Sequence, residues 1–278
     1  MKRVFKFLSQ TFKFLLLLKN KRKISDLINL RDRHKGEECY IFGDGVSLKY
    51  FDLSVFNDRI AIGSNNLIFH KDFKKLNIKY YCIYEPFWFL PYFVSGFKGV
   101  KIWKNKIQKY HQLIAKENKQ ITFFTDISNS IRFIGSNIIY VSTQIVNNIT
   151  DENFISHKIN CFEGSLRVQL MIAKFLGFNK VYLIGHDYLN SETISGHFYE
   201  KGPGVKTKNT HDSWNNDFLK LMKKKLEIIS ITNNNTSLKV KTIPYEKFKG
   251  DTLNYKEINE IVSLKNLQIL SSWPKYFI

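Results

Sequence analysis

Two features of this sequence have residue types and spacing that could do chemistry. One is a glycine-flanked acidic turn, Gly43-Asp44-Gly45-Val46-Ser47; the other is a pair of histidines, His197 and His211, in and just after a stretch rich in Gly, Ser and Lys. The turn follows directly on the apolar run Tyr40-Ile41-Phe42, and its glycines would let backbone N–H groups approach a phosphate closely. It lacks the third glycine of the dinucleotide fingerprint and the lysine of a P-loop, so neither of those readings applies. Taken alone, an ordinary strand-to-helix turn explains it as well. Histidine titrates near neutrality and suits the taking or giving of a proton. His70, His111, His157 and His186 have no supporting spacing and read as structural or exposed. Lys201, Lys206 and Lys208 could meet phosphate or carboxylate, although solvated charges on a mobile loop are the preferred reading.

Metal and disulfide chemistry find little footing. Cys39, Cys82 and Cys161 are far apart, with no C-x-x-C, no Cys/His ligand spacing and no D-x-D in the chain. They read as small buried apolar residues, a usage that fits a reducing cytoplasm, and no metal or cofactor is expected.

The elements that must position these residues read as strands alternating with helical stretches. Apolar runs at 39–42, 60–63, 80–83, 121–124, 138–141 and 181–185 predict buried strands. Leu166, Leu170, Ala173 and Leu176 recur at helical spacing before a Gly177 stop, and 212–229 reads as a second, basic helix. A further strand is expected at 237–242, after the polar loop Asn233-Asn234-Asn235. The alternation predicts an α/β, Rossmann-like fold: a mostly parallel sheet with helices on both faces and a ligand at the carboxyl ends of its strands. The expected organisation is a basic amphipathic segment (1–36), one main nucleotide-binding domain (37–250) with a lid at about 190–210, and a helical tail (251–278). The aromatic cluster Tyr80, Tyr81, Tyr84, Phe87, Trp88, Phe89 and Tyr92 reads as core, with a sugar-stacking or lipid-facing wall as the alternative.

A formal charge of +19 favours an anionic partner, although an A/T-rich genome would also enrich Lys. No nucleic-acid-reading motif accompanies the charge. On a helix, Phe5, Leu8, Phe12, Leu15 and Leu16 share one face opposite Arg3, Lys6, Gln10 and Lys13, and Lys19, Lys21, Arg22 and Lys23 follow. The apolar run 14–18 is too short to span a bilayer. Two readings stand: a helix lying in the interface of an anionic membrane, or one packed on its own domain.

Two sequence blocks resemble the bacterial sialyltransferases of glycosyltransferase family 42. The first is the turn at 43–47, with Leu48, Asp52-Leu53-Ser54, and Gly63-Ser64-Asn65-Asn66 after the second strand. The second is Gly164-Ser165 opening a helix, Leu176-Gly177-Phe178 closing it, and a strand ending in Gly185-His186-Asp187. The same skeleton occurs in the related motility-accessory and 6-hydroxymethylpterin diphosphokinase-like domains, to which the lead-in His34-Lys35-Gly36-Glu37 is similar. The resemblance implies an inverting, metal-independent glycosyltransferase with a nucleotide-sugar donor, CMP-linked and acidic, and a glycan or glycolipid acceptor. On this reading it would act in lipopolysaccharide-type surface glycan synthesis and, through its basic amphipathic segment, peripherally on an anionic surface at the inner face of the cell membrane, as a monomer or an oligomer. Carried over, Gly43, Asp44, Gly45, Ser47, Asn65, Gly164, Ser165 and Asp187 line the nucleotide. His211 takes the place of the catalytic base, with His197 and Tyr188 as further catalytic candidates. Asp44 stands where that family has Asn, and Leu189 where it has an aromatic residue, with Tyr188 and Tyr199 close by. The alternatives are a diphosphate-transferring kinase holding ATP and Mg²⁺ on Asp44, Glu85 and Asp187, and a non-catalytic membrane-associated binding protein.

Overall fold

The structure, a computed structural model, describes residues 11, 15–16, 18–20, 26–83, 85, 88–89, 101–143, 158–159, 165–207, 218–237 and 239–270. Its centre is a parallel sheet: β1 (Glu38–Phe42), β2 (Ile60–Ser64), β3 (Ile78–Ile83), β4 (Thr122–Asp126), β5 (Ile138–Thr143), β6 (Lys158–Ile159), β7 (Lys180–Ile184), β10 (Glu227–Thr232) and β11 (Lys241–Pro244). The strand order is β11-β10-β7-β1-β2-β3-β4-β5-β6, and every adjacent pair runs parallel. The chain therefore leaves β1 in one direction and returns to β7 on its other side. That places a topological switch point between β1 and β7, where such sheets bind ligands.

Alternation along the central strands builds two apolar layers. Tyr40 and Phe42 enter one core with Phe51, Phe56 and Tyr245, and helix α1 (Lys101–Glu117) contributes Ile107 and Ile114 to it. Cys39 and Ile41 enter the other, against helix α2 (Ser165–Phe175) and its Leu166, Leu170 and Ala173. With both faces covered, each strand reads as a continuous apolar run, which is why these six strands could be located from the sequence. Tyr80, Tyr81, Trp88 and Phe89 are buried core side chains, as are the free cysteines Cys39 and Cys82. Tyr84, Phe87, Tyr92, Cys161 and His157 lie outside the described residues.

Several expectations are corrected. The β1–β2 and β2–β3 connections carry pairs of short 3-10 turns, such as Val46–Lys49 and Leu53–Val55, in place of long helices. Side chains set their starts: Asp52 accepts the N–H of Ser54 at 2.9 Å and His70 Nδ1 that of Asp72 at 3.1 Å. The helix expected over 212–229 does not reach its end, because β10 begins at Glu227. Leu219, Met222, Leu226 and Ile229 keep a helical period, but Glu-Ile-Ile-Ser-Ile-Thr is a β-branched run, and β7 and β11 pair with it. The strand expected at 237–242 begins only at Lys241. The expected lid contains an antiparallel pair, β8 (Thr193–Ser195) with β9 (Val205–Thr207), and the loop between them is pinned to the body. Phe198 is buried and its N–H donates to Asp44 O at 3.0 Å, while the buried Lys49 Nζ donates to the carbonyls of Glu200 and Gly202.

At the N-terminus Leu16 is buried in the first core while Leu15 and Leu18 are exposed, so the segment packs on the domain by one edge. No described helix is long and apolar enough to cross a membrane.

Gly45 has an ordinary φ of −61°, so steric closeness alone demands glycine there: an added Cβ would lie 2.3 Å from Asp187 Oδ2 and 2.6 Å from Gly185 O. Gly45→Ala should cost about 1–3 kcal/mol, as overpacking does. Gly250→Ala, at φ 72° with nothing within 4 Å of its Cβ, tests backbone strain alone. Thermal melts should show the larger loss for Gly45→Ala, and equal losses would mean that the close approach is not what the glycine serves.

Candidate functional site

The ends of β1 and β7 turn against each other. Gly43 N–H donates to Ile184 O and Gly45 N–H to Gly185 O, both at 2.8 Å. Gly185 is at φ 74° and sits under the β1 turn. This corrects the reading of the glycine motif. The two glycine amides are already committed to β7 carbonyls and do not face a ligand, and the glycines are needed because the two turns nearly touch.

A cleft of about 130 Å³ opens over this crossing, with Gly43, Asp44, Gly45, Asn65, Ser165, Asp187, Tyr188 and His197 in its wall. Five segments separated in sequence are thus brought together, with Gly185, His186, Ile194 and Gly196 completing the wall. Of the residues expected at the nucleotide, Ser47 is displaced: it is buried behind the turn, where its N–H donates to Asp187 Oδ2 at 2.8 Å, and it is not part of the cleft wall. It orients Asp187 instead. Gly164 and His211 lie outside the described residues.

Each wall residue has a local reason for its place. Asn65 follows β2 at φ 50°, a left-handed conformation that Asn tolerates better than most residues. Its carbonyl accepts from Tyr81 Oη at 2.9 Å and lies 3.0 Å from His111 Nε2. Ser165 is the first residue of α2, where helix N–H groups and the dipole favour an anion. One turn on, the buried Gln169 donates its Nε2 to Phe42 O at 2.8 Å, fixing that helix end over β1.

The electrostatics centre on three acids and one histidine. Burial pushes the Asp44 carboxyl up to about 6, against the nearby His197 and a 3.0 Å hydrogen bond from Asn66 N–H to Asp44 Oδ2. Burial also raises Asp187, opposed by its bonds from Ser47. His197 Nδ1 lies 2.9 Å from Glu200 Oε1, and Glu200 Oε2 accepts the His197 N–H at 3.1 Å. Burial alone would lower His197, but the Glu200 bond and the charges of Asp44, Glu200 and Asp187 outweigh it and hold the imidazolium above its ordinary range. Burial would likewise raise Glu200, and His197 holds it net below the carboxylate range. With Nδ1 bound to Glu200, Nε2 is the ring nitrogen left to face a ligand.

His186 and Glu200 were missed from the sequence. Burial drives the His186 imidazole down to about 3, so it is neutral, and its Nε2 has no hydrogen-bond partner among the described residues. Its position between Gly185 and Asp187 was the available signal. For Glu200 it was the three-residue spacing from His197. Tyr188 is part-buried, with its Oη 3.4 Å from His186 Nδ1, and burial raises its phenol so that it remains a donor. Among the described residues no group of three or more His, Cys, Asp or Glu side chains could hold a metal ion, so Asp44, Glu85 and Asp187 do not form the Mg²⁺ site of the kinase alternative.

The Asp44 shift has a sign that can be tested. A carboxyl raised from 3.8 to about 6 favours the folded state below the lower value, and that contribution is lost as pH rises through about 6. Asp44→Asn retains an oxygen for Asn66 N–H and cannot ionise. Melts from pH 4 to 8 should show the variant gaining on the wild type across this window, whereas parallel profiles would mean that Asp44 ionises without cost.

No family model matches the chain, and no curated protein matches it. Among solved structures it is similar to the sialyltransferase CstII from Campylobacter jejuni in complex with a substrate analogue, cytidine-5'-monophosphate, at 16% identity over 86% of this chain and 98% of that one, with a TM-score of 0.43. It is also similar to CST-II in complex with a trisaccharide acceptor and CMP, at 16% identity over 85% and 99% of the two chains, with a TM-score of 0.44. A third is the monofunctional α-2,3-sialyltransferase Cst-I from Campylobacter jejuni, at 18% identity over 85% and 94%, with a TM-score of 0.46.

Proposed function

We propose that this protein is an inverting glycosyltransferase that takes a nucleotide-activated sugar, CMP-linked and acidic, into the cleft over β1 and β7. The acceptor in this reading is a bacterial surface glycan or glycolipid at the cytoplasmic membrane face. The observation that carries it is the convergence of the two sequence blocks. The Gly43–Gly45 turn and Asn65 come from the first, Ser165 and Asp187 from the second, and all four line one cleft at the switch point of a parallel sheet. The choice of CMP rests on the resemblance of those blocks to family 42.

Chemistry assigns the wall residues different parts. Asp44 is unsuited to a phosphate and suits hydroxyl donors such as those of a ribose. The α2 N-terminus at Ser165 and the His197 imidazolium suit the donor's anionic groups. Tyr188, held protonated, can donate to the phosphate oxygen that departs with the nucleotide. In the transfer the acceptor oxygen bonds to the anomeric carbon as the bond to phosphate breaks, and the acceptor proton passes to a base. A histidine held as imidazolium is a poor base, so His197 suits the anion-binding part and His211 the base. The described wall encloses less than the roughly 300–1,000 Å³ usual for such ligands. A space of this size would take one ring of the donor, and the remainder would extend past it.

CMP or a CMP-sugar should raise the melting temperature without added metal, and a rise only with ATP and Mg²⁺ would replace this reading with the diphosphokinase one. His211→Ala should lose roughly 10²- to 10⁴-fold in transfer while keeping the CMP-induced rise. His197→Ala should weaken donor binding and reduce turnover less. Because the His197 imidazolium is present at low pH and lost as pH rises through its elevated pKa, donor affinity should fall over that rise in the wild type. His197→Gln should lack this dependence. If His197→Ala abolishes transfer and His211→Ala does not, the two roles are exchanged.

A further inference from the structure

We propose that the pocket between the C-terminal turn of α1 and the chain entering β5 is a docking site for anionic lipid headgroups, through which the protein seats on a phospholipid membrane. The pocket has a volume of about 230 Å³, and Lys116, Lys119, Arg132, Phe133, Ile134 and Gly135 are among its lining residues. It is a built feature. Asn137 Nδ2 donates to the carbonyls of Ala115, Asn118 and Ile121 at 2.9 to 3.1 Å, fastening the end of α1 to the start of β5. Gln112 Nε2 donates to Arg132 O at 3.0 Å across its mouth.

Two independent properties give the pocket its partner. The side chains of Lys116, Lys119 and Arg132 are exposed, and among the described residues none is paired with a carboxylate. Around them the surface is apolar: Ile134 is 69% exposed and Leu113 and Ile131 are each 45% exposed. Asn20 Nδ2, in contact with Ser130 Oγ at 3.4 Å, brings the N-terminal segment to the same turn, with its exposed Leu15 and Leu18. Five of the eight large apolar side chains exposed among the described residues therefore belong to this turn, α1 and the segment fastened beside them. Cations interspersed with exposed aliphatic side chains suit a membrane interface, where the alkyl groups enter the acyl boundary and the charges meet phosphates. A second copy of the chain would set like charges against each other. Nucleic acid would leave the isoleucines against a polyanion, with no exposed aromatic side chain among the described residues here to stack a base.

The test uses the full chain with vesicles of phosphatidylcholine, alone or with about one-third phosphatidylglycerol. The wild type should sediment with the mixed vesicles. The combined variant Lys116→Ala, Lys119→Ala and Arg132→Ala should partition on the order of 10- to 100-fold more weakly. Ile134→Asp should also weaken partition, and because all four side chains are exposed, melting temperatures should hold. Stabilisation by CMP should be unchanged in every variant, so failure at the membrane and failure of the donor reading are seen separately. Three results would overturn the proposal: no wild-type binding to mixed vesicles, unchanged partition of the combined variant, or binding lost by that variant only toward a duplex oligonucleotide.

Discussion

The candidate site depends on one close approach, that of the turns ending β1 and β7. Two hydrogen bonds join them, Gly43 to Ile184 and Gly45 to Gly185, and no side chain fits between. The crossing fixes where Asp44 and Asp187 stand, and the β8–β9 loop is then laid over it by the bond from Phe198 to Asp44. These two glycine amides are used within the protein and are not offered to a ligand. The site differs in this from phosphate-cradling glycine loops, whose free amides are the recognition element.

The same packing explains the unusual charge states. Asp44, Asp187 and His186 are buried by the crossing itself, and burial disfavours the charged form of each. His197 is the exception, because the Glu200 bond to its ring and the charges of Asp44, Glu200 and Asp187 outweigh its burial. Two histidines of one cleft are therefore shifted in opposite directions, His186 down and His197 up, by their environments alone. Lys49 supports this arrangement from below by gripping the carbonyls of Glu200 and Gly202.

The central sheet was legible because strands buried on both faces leave continuous apolar runs, and β1, β2, β3, β4, β5 and β7 all do. β10 was not, since Leu219, Met222, Leu226 and Ile229 extend a helical period into it. β8 and β9 were not either, being three residues each and paired with each other outside the main sheet. In the site, the motif at 43–45 was found for a reason that the structure revises, and Ser47 was placed one layer too far forward. His186 was passed over because its neighbours, such as Gly43, come from a distant part of the chain. Glu200 lay within reach of a spacing argument.

The pairing of β1 with β7 also bears on how the chain comes to be folded. Glu38 lies opposite Lys180, so the central pair of the sheet joins segments separated by about half of the polypeptide. Closing so long a loop is entropically costly and slow compared with local pairing. As the chain emerges during synthesis, β1 can pair with β2 early, but its other edge stays open until β7 has been made. The cleft is formed only when that edge closes, which makes it a late product of folding. Any molecule that bound there would then favour only chains in which both halves of the sheet have joined.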